Sequence, residues 1–439
     1  MISTPVGNTS AHIASTAARM RQPRATLFFY EGFISVSPSV VGAALELRAR
    51  GYQVDLFYTR PSIELLPPHL PQDIRLREHV PWTRRITGPI IERLRRNALE
   101  RLSRTNVDHV VRKRSSRLRA WARAIISIIE IPQFILFCRA RLEPTDLAVA
   151  FDMTGLAAMR YTVPATTPFV YWSLEIMLLD EAPDPVSRWL KRHELRHLNE
   201  ARAVVIQAPA RRALFERDAP ALDVRYVEVP NSPSQQRPKN IPTDIFTSKF
   251  PIPPDAWLVL HAGFISSSFV SLEIARTVPA WPKDFVLVFH ERQYRDPLEP
   301  YLLAVRQAGG ERTFLSLSPV AMDQVDTVYA GADIGLVCYE PAEANLKTAW
   351  SSSGKLAYYL RHGLPIVIVA NECPSILTDW QCGVWAADPD GVAAALATIA
   401  ANYDSYSAQA LKAYEANFDF GAAFDRLMTV VDGAESQPS

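Results

Sequence analysis

Between residues 332 and 370 the chain carries two short apolar, partly β-branched runs, IGLVC and IVIVA, each fenced by breakers: Gly331 and Pro341, then Pro365 and Pro374. Runs of this kind are buried strands. The segment between them predicts one short helix, with Ser353 as N-cap, Leu356, Tyr359 and Leu360 on one face, and Gly363 able to take the left-handed C-terminal position before Pro365. Strand, loop, helix and strand in this order make a parallel unit whose loop and helix N-terminus open at the carboxyl edge of a sheet. A Ser-Ser-Ser-Gly turn with Lys355 beside it offers free N–H groups and one cation there, which suits a phosphate or pyrophosphate. An ordinary capped helix is the plain alternative, because neither a P-loop nor a G-x-G-x-x-G pattern is present.

The same alternation runs along most of the chain. TLFFY, a Gly-containing loop, a helix over residues 39–50 and QVDLFY form a β-α-β unit, and Glu31 and Gly32 end its first strand on the cleft side. Residues 61–81 are Pro-rich and read as a loop crossing the sheet edge. LAVAF ends at Asp152, and FVYW ends at Ser173 with Glu175 two residues on, so both carboxylates emerge where a general base or a sugar-hydroxyl acceptor belongs. A helix N-cap for Asp152 and a surface salt bridge for Glu175 are the alternatives. VPNSPSQQRPKNIPTDIF is the best linker. WLVLHAG then opens a second domain, with Gly263, Phe264 and Ser266 to Ser268 in the loop after its first strand and His290 and Glu291 at the end of its second.

SSSGKLAYYLRHGLPIV, together with YEGFISVSPSVVGAALELRARGYQVDLFY, VAFDMTGLAAM, FVYWSLEI, HLNEARAVVIQAPARRALF with VPNSP, and LHAGFISSSFVSLEIA, resembles, in order, the GT-B glycosyltransferases of family 4 and its relatives in bacterial polysaccharide and glycolipid assembly. The resemblance implies an α/β fold of two Rossmann-like, doubly wound parallel-sheet domains facing a central cleft. It divides the chain into a leader (1–24), an acceptor domain (25–232), a linker (233–250), a nucleotide-sugar domain (251–405) and a return helix with tail (406–439). It implies a retaining sugar transfer from a nucleotide diphosphate sugar; with one His pair as the only metal-like set in the sequence, the chemistry is expected to be metal-independent and to need no cofactor. Donor contacts fall to Gly263, Phe264, Ser266, His290, Glu291, Tyr339, Glu340, Asn345, Ser352, Ser353, Gly354 and Lys355. Asp152 and Glu175 are the catalytic candidates, and Glu31 and Gly32 lie on the acceptor side.

Two departures from the family pattern stand out. The loop at Gly263 lacks the Arg and Lys that relatives use on the diphosphate, leaving Lys355 and Lys347. The two glutamates eight apart that contact the sugar and grip the ribose fall here on Trp350 and Tyr358, with Glu340, Glu343 and Asn345 as the nearest substitutes. A non-catalytic partner subunit and a nucleotide-sugar epimerase therefore stay open.

Composition narrows the partners. At 439 residues the length asks for two domains, and a formal charge of +1 argues against a nucleic-acid binder. The four cysteines have neither metal-ligand spacing nor a disulfide framework, which fits a reducing cytoplasm. The start of the chain lacks an apolar h-region. Residues 84–123 hold thirteen Arg or Lys against three acids, with Ile91, Leu94, Ala98, Leu99 and Leu102 at helical spacing. The apolar run 124–138 follows, too short to span a bilayer and interrupted by Glu130 and Pro132. A basic amphipathic stretch of this kind fits the inner face of a membrane and a saccharide or lipid-linked acceptor; a helix pair packed on the domain is the alternative. KRHELRHLNEAR matches the zinc motif H-E-x-x-H at His193, Glu194 and His197, yet its charged flanks read more simply as a solvated helix.

Overall fold

The computed structural model describes residues 21–61, 66–83, 110–218, 223–340 and 344–433. Most of the expected leader, residues 84–109 of the basic stretch, Glu343 and the last six residues lie outside these.

Two parallel sheets organise the chain. The first comprises β1 (Arg24–Phe29), β2 (Gln53–Thr59), β3 (Arg75–His79), β4 (Leu147–Phe151), β5 (Phe169–Trp172), β6 (Ala203–Ile206) and β7 (Tyr226–Glu228), in the order β3-β2-β1-β4-β5-β6-β7. The second comprises β8 (Trp257–Ala262), β9 (Phe285–His290), β10 (Thr313–Ser316), β11 (Ile334–Cys338), β12 (Ile366–Val369) and β13 (Gly383–Ala386), in the order β10-β9-β8-β11-β12-β13. The inner strands, such as β1, β4, β5, β6, β8, β9, β11 and β12, are buried on both faces, which is why they read as unbroken apolar runs and not as alternation, whereas the edge strands β3, β7 and β13 are partly exposed. In each sheet the order reverses beside the first strand, between β1 and β4 and between β8 and β11. Loops diverge at such a switch point and leave a crevice at the carboxyl ends.

The segment expected to be a loop across the sheet edge contains β3. Its sequence, RLREH, is too charged to read as a strand, but Arg75 and Arg77 pair with the buried Asp55 of β2 at 2.8 and 3.2 Å, so ion pairs replace apolar burial on this edge. The long loop expected after β11 contains a second helix, Ala344–Ser352, directly before the expected one at Gly354–Arg361. Gly363 takes the left-handed conformation, φ 69°, that ends the latter.

Two helices close the chain. Tyr403–Asn417 packs on the second domain, whereas Phe420–Val431 returns to the first, where Phe420, Phe424, Leu427 and Met428 join its core and the Phe420 ring stacks on Trp172 at 6.2 Å. The outgoing and returning crossings are tied by Ser232, whose hydroxyl donates to the Phe418 carbonyl at 2.8 Å.

Helix Val110–Arg141 runs through the apolar stretch without a break at Pro132. Glu130 turns inward, accepting from Thr83 at 2.7 Å and Tyr30 at 3.3 Å, while Ile128, Pro132 and Leu136 lie one turn apart on the outside. No helix among the described residues is long and apolar enough to cross a membrane.

Gly32 follows β1 with φ 73°, and a Cβ there would meet the Thr59 carbonyl oxygen at 1.8 Å. Gly32 is a close-approach position that fixes the turn behind Glu31, and Gly32→Ala should lose about 2 kcal/mol of stability by urea denaturation, since both strain and overlap oppose it.

Candidate functional site

The site is built from loops after the carboxyl ends of β8, β9 and β11, and from the start of helix Gly354–Arg361. Lys355, the second residue of that helix, projects its ammonium back toward Gly263. A Cβ on Gly263 would stand 3.3 Å from Nζ, so the missing side chain opens the space in front of the cation. The ammonium is buried, makes no hydrogen bond, and lies 4.7 Å from the Phe269 ring centre and 5.0 Å from that of Tyr339. Burial pulls its pKa down to about 8, and the charge of Arg292 adds to the effect.

Arg292 is the cation that sequence reasoning missed. It follows Glu291 at the end of β9, and its guanidinium lies over the Phe264 ring at 4.5 Å. Its Nε is buried without a partner, and burial lowers its pKa. Among the described residues neither Arg292 nor Lys355 forms an ion pair. Two desolvated cations on aromatic faces, neither in a direct ion pair and with Glu291 acting on both only at a distance, gain from an arriving anion. Only the position of Arg292, just beyond a predicted strand end, could have singled it out.

The other donor-side candidates divide into supports and open groups. Glu291 is fully buried: it accepts from the Ile265 and Arg292 backbone N–H groups at 3.1 and 2.9 Å and from Arg295 at 3.0 Å, binding the Gly263 loop to the turn that carries Arg292. His290 pairs through Nδ1 with Ser316 at 3.0 Å, and burial lowers its pKa to about 4. Ser353 holds the N-cap position, but its hydroxyl makes no cap bond and instead accepts from Tyr339 at 2.8 Å. Ser352 bonds within its own helix. Ser266 has its backbone N–H taken by Ser271 at 3.1 Å. Phe264 and Tyr339 supply ring faces to the two cations, and Gly354 abuts Asn231. Glu340 is exposed, its backbone N–H on the Ser268 carbonyl at 2.9 Å. Val270, a β-branched residue with φ 52°, holds the far end of the Ser266–Ser268 loop in a strained turn. Lys347 is exposed on its helix.

Across the cleft three carboxylates converge from the first sheet. Asp152 begins helix Asp152–Arg160 in the left-handed region, φ 55°, and the expected N-cap role does not form. Its Oδ1 instead accepts the N–H groups of Leu174 and Glu175, at 2.7 and 2.9 Å, stitching the end of β4 to the loop after β5. Burial first, and then the charges of Glu31 and Glu175, raise its pKa well above the usual carboxylate range. Glu31, with Oε2 buried and unpartnered, is raised to about 7 by burial and by Glu175. The Glu31 charge raises Asp152 because buried like charges disfavour one another.

Asn345 joins the two sides. Its Oδ1 accepts from Ile176 N–H at 3.1 Å and from Arg211 at 2.7 Å, and its Nδ2 donates to the Glu175 carboxylate. Trp350 and Tyr358 stand where the family pattern has glutamates. Tyr358 stacks on Tyr329 at 4.7 Å.

The H-E-x-x-H residues share no open face. His193 is stacked between Tyr161 and Trp189, at 5.6 and 5.4 Å, and Glu194 is buried on Tyr171 and Lys191. His197 pairs with Glu200 at 2.7 Å. The helix is solvated on the face of Arg188, Arg192 and Arg196, while the motif side packs inward and is not arranged as a zinc helix. Among the described residues no group of three His, Cys, Asp or Glu side chains is placed to hold a metal ion.

No family model matches the chain, and no curated protein matches its sequence. Solved structures do match in fold. The sucrose-phosphate synthase of Thermosynechococcus elongatus superposes with a TM-score of 0.63 at 13% identity, over 94% of this chain and 100% of that one. An E. coli protein described as trehalose-6-phosphate bound with UDP-2-fluoro glucose gives 0.58 at 11%, over 95% and 100%. A UDP-forming alpha,alpha-trehalose-phosphate synthase of Burkholderia xenovorans in complex with glucose-6-phosphate gives 0.57 at 11%, over 93% and 100%. At these identities the likeness fixes the fold, which is GT-B: two parallel-sheet α/β domains with matched topology.

Proposed function

We propose that this chain is a glycosyltransferase that moves a sugar from a nucleotide diphosphate sugar to an acceptor hydroxyl. The observation that carries the reading is two cations without ion-pair partners, Lys355 in front of Gly263 and Arg292 over the Phe264 ring next to it, opposite the acids Glu31 and Asp152 of the facing domain. The diphosphate sits between the cations and the first N–H groups of helix Gly354–Arg361, and their charge and dipole stabilise it as it departs. The sugar ring reaches toward Glu31 and Asp152. Glu31, as a carboxylate, balances the positive charge that grows on the ring, and Asp152, protonated, donates to a sugar hydroxyl. Transfer without a metal or resident cofactor, and with retention of configuration, completes the reading; retention rests on the family likeness.

A specific observation favours a second reading. Trp350 and Tyr358 replace the two glutamates of the family pattern, and a partner subunit with a degenerate donor site accounts for both. Titration calorimetry with UDP, GDP, ADP and dTDP decides between the two: micromolar binding of one is expected, and binding of none rejects catalysis. An epimerase would release a free epimer of the donor without needing an acceptor, which product analysis detects.

For the acceptor, the reading is a saccharide or lipid-linked intermediate met at a cytoplasmic membrane face. The row of Ile128, Pro132 and Leu136, with Leu136 65% and Ile128 60% exposed, adjoins the basic stretch and supports it. The similar synthases, one of them holding glucose-6-phosphate, favour a soluble sugar phosphate instead. Flotation with phosphatidylglycerol vesicles at low salt separates these: the full chain should float, Leu136→Glu should bind about tenfold more weakly, and a wild-type chain that stays in solution refutes membrane contact.

A further inference from the structure

Helix Ala344–Ser352 is held to the first domain at both of its ends. At its start, Asn345 uses its amide on three groups of that domain: Ile176 N–H at 3.1 Å, Arg211 at 2.7 Å and the Glu175 carboxylate. At its finish, the Ser352 carbonyl accepts from Asn231 Nδ2 at 3.3 Å, and Asn231 Oδ1 accepts from the Ser39 hydroxyl at 3.0 Å. Asn231 lies where the chain leaves the first domain, and Ser39 is fully buried at the start of helix Pro38–Ala49. The helix itself belongs to the second domain and runs, through Ser353 alone, into the helix that carries Lys355.

We propose that this helix is a two-point clamp that sets the closure of the two domains, with Asn345 as its positioning residue. The geometry at Asn345 is demanding. Arg211, 2% exposed, spends one Nη on Asn345 and has a buried Nε without a partner, and Glu175 receives the amide from the facing domain. Removing the amide leaves a buried guanidinium short of an acceptor and frees Glu175 from the donor segment, so the closed arrangement loses its reason to persist. The clamp also links the two halves of the chemistry: a change at the Lys355 helix moves the helix that holds Glu175 in place beside Asp152. This link rests on the transferase reading, whereas the clamp itself is read from the fold alone.

Small-angle scattering on the full ligand-free chain tests it. Asn345→Ala should raise the radius of gyration by about 1 Å, on the scale of a hinge opening, and Asn345→Ala with Asn231→Ala should raise it at least as much. Lys347→Ala, exposed on the same helix and outside the clamp, should leave it unchanged. Affinity of Asn345→Ala for whichever of UDP, GDP, ADP and dTDP the wild type binds, measured by calorimetry, should stay within about twofold of wild type, because the proposed diphosphate contacts lie only in the second domain, while kcat falls about tenfold through misplacement of the two halves. An unchanged radius in both the single and the double variant overturns the clamp. Loss of that affinity equal to the loss of kcat also overturns it, since the residue would then belong to the donor site. If UDP, GDP, ADP and dTDP all fail to bind the wild-type chain, the transferase reading falls while the scattering result still decides the clamp.

Discussion

Lys355→Met should raise the dissociation constant for the nucleoside diphosphate by about 100-fold in titration calorimetry, the worth of a charge-assisted contact to a phosphate in a desolvated site. Met keeps the apolar stem to within one atom of the ammonium, so packing beside Phe269 and Tyr339 is largely retained while the charge and its contacts with the two ring faces are lost. The pH dependence carries the assignment further. In the free protein burial holds the Lys355 pKa at about 8, so above that pH the amine is neutral and must take up a proton before it can pair with the diphosphate. Wild-type affinity should therefore fall with rising pH beyond 8, by up to tenfold per unit, and binding enthalpy there should vary with the buffer. In Lys355→Met both effects should vanish. Affinity within threefold of wild type, or an unchanged pH dependence, would place the diphosphate elsewhere.

Lys355 was legible because its neighbours are punctuation: Ser353 before it, Gly363 and Pro365 after it, and a β-branched run on either side. The strand ends at Glu31, Asp152, Glu175, Gly263, His290 and Tyr339 were legible for the same reason, since a doubly wound sheet brings all carboxyl ends to one edge. What each side chain does there was not. Glu291 and His290 stand at the right edge but are consumed by Ile265, Arg295 and Ser316, and only the register of β9 against β8 and β10 decides that. Arg292 gains its meaning from the same register, one residue past the strand. Helix Ala344–Ser352 was hidden because the stretch AEANLKTAWSS has little apolar periodicity, and what fixes it is contact with the other domain through Asn345. Asp152 looked like a cap because strand-to-helix junctions usually need one; its left-handed backbone sends the carboxylate to the β5 loop instead. Lys191 and Glu194 looked solvated, yet they neutralise each other at 2.7 Å and are both almost fully buried.

Glu31→Gln should lower kcat/KM by about 10³-fold, with the chain still folded and nucleoside diphosphate affinity unchanged. The amide is isosteric, and because Oε2 has no protein partner, the substitution breaks no hydrogen bond at that oxygen. What it removes is the negative charge facing the sugar ring. In the wild type Glu31 carries a proton below its raised pKa of about 7, so activity should rise as pH climbs through 7 and the carboxylate forms. It should then fall above about 8 as Lys355 loses its proton, giving a narrow bell. Glu31→Gln should erase the rising limb and Lys355→Met the falling one. Asp152 separates the roles within the pair. Its pKa lies well above the usual carboxylate range, and the proposed role uses its protonated form, so Asp152→Asn, which keeps the acceptor for Leu174 and Glu175 and tolerates φ 55°, should retain activity within about tenfold. A collapse of Asp152→Asn equal to that of Glu31→Gln would mean that Asp152 acts as the carboxylate, and the assignment of charge within the pair would have to be exchanged.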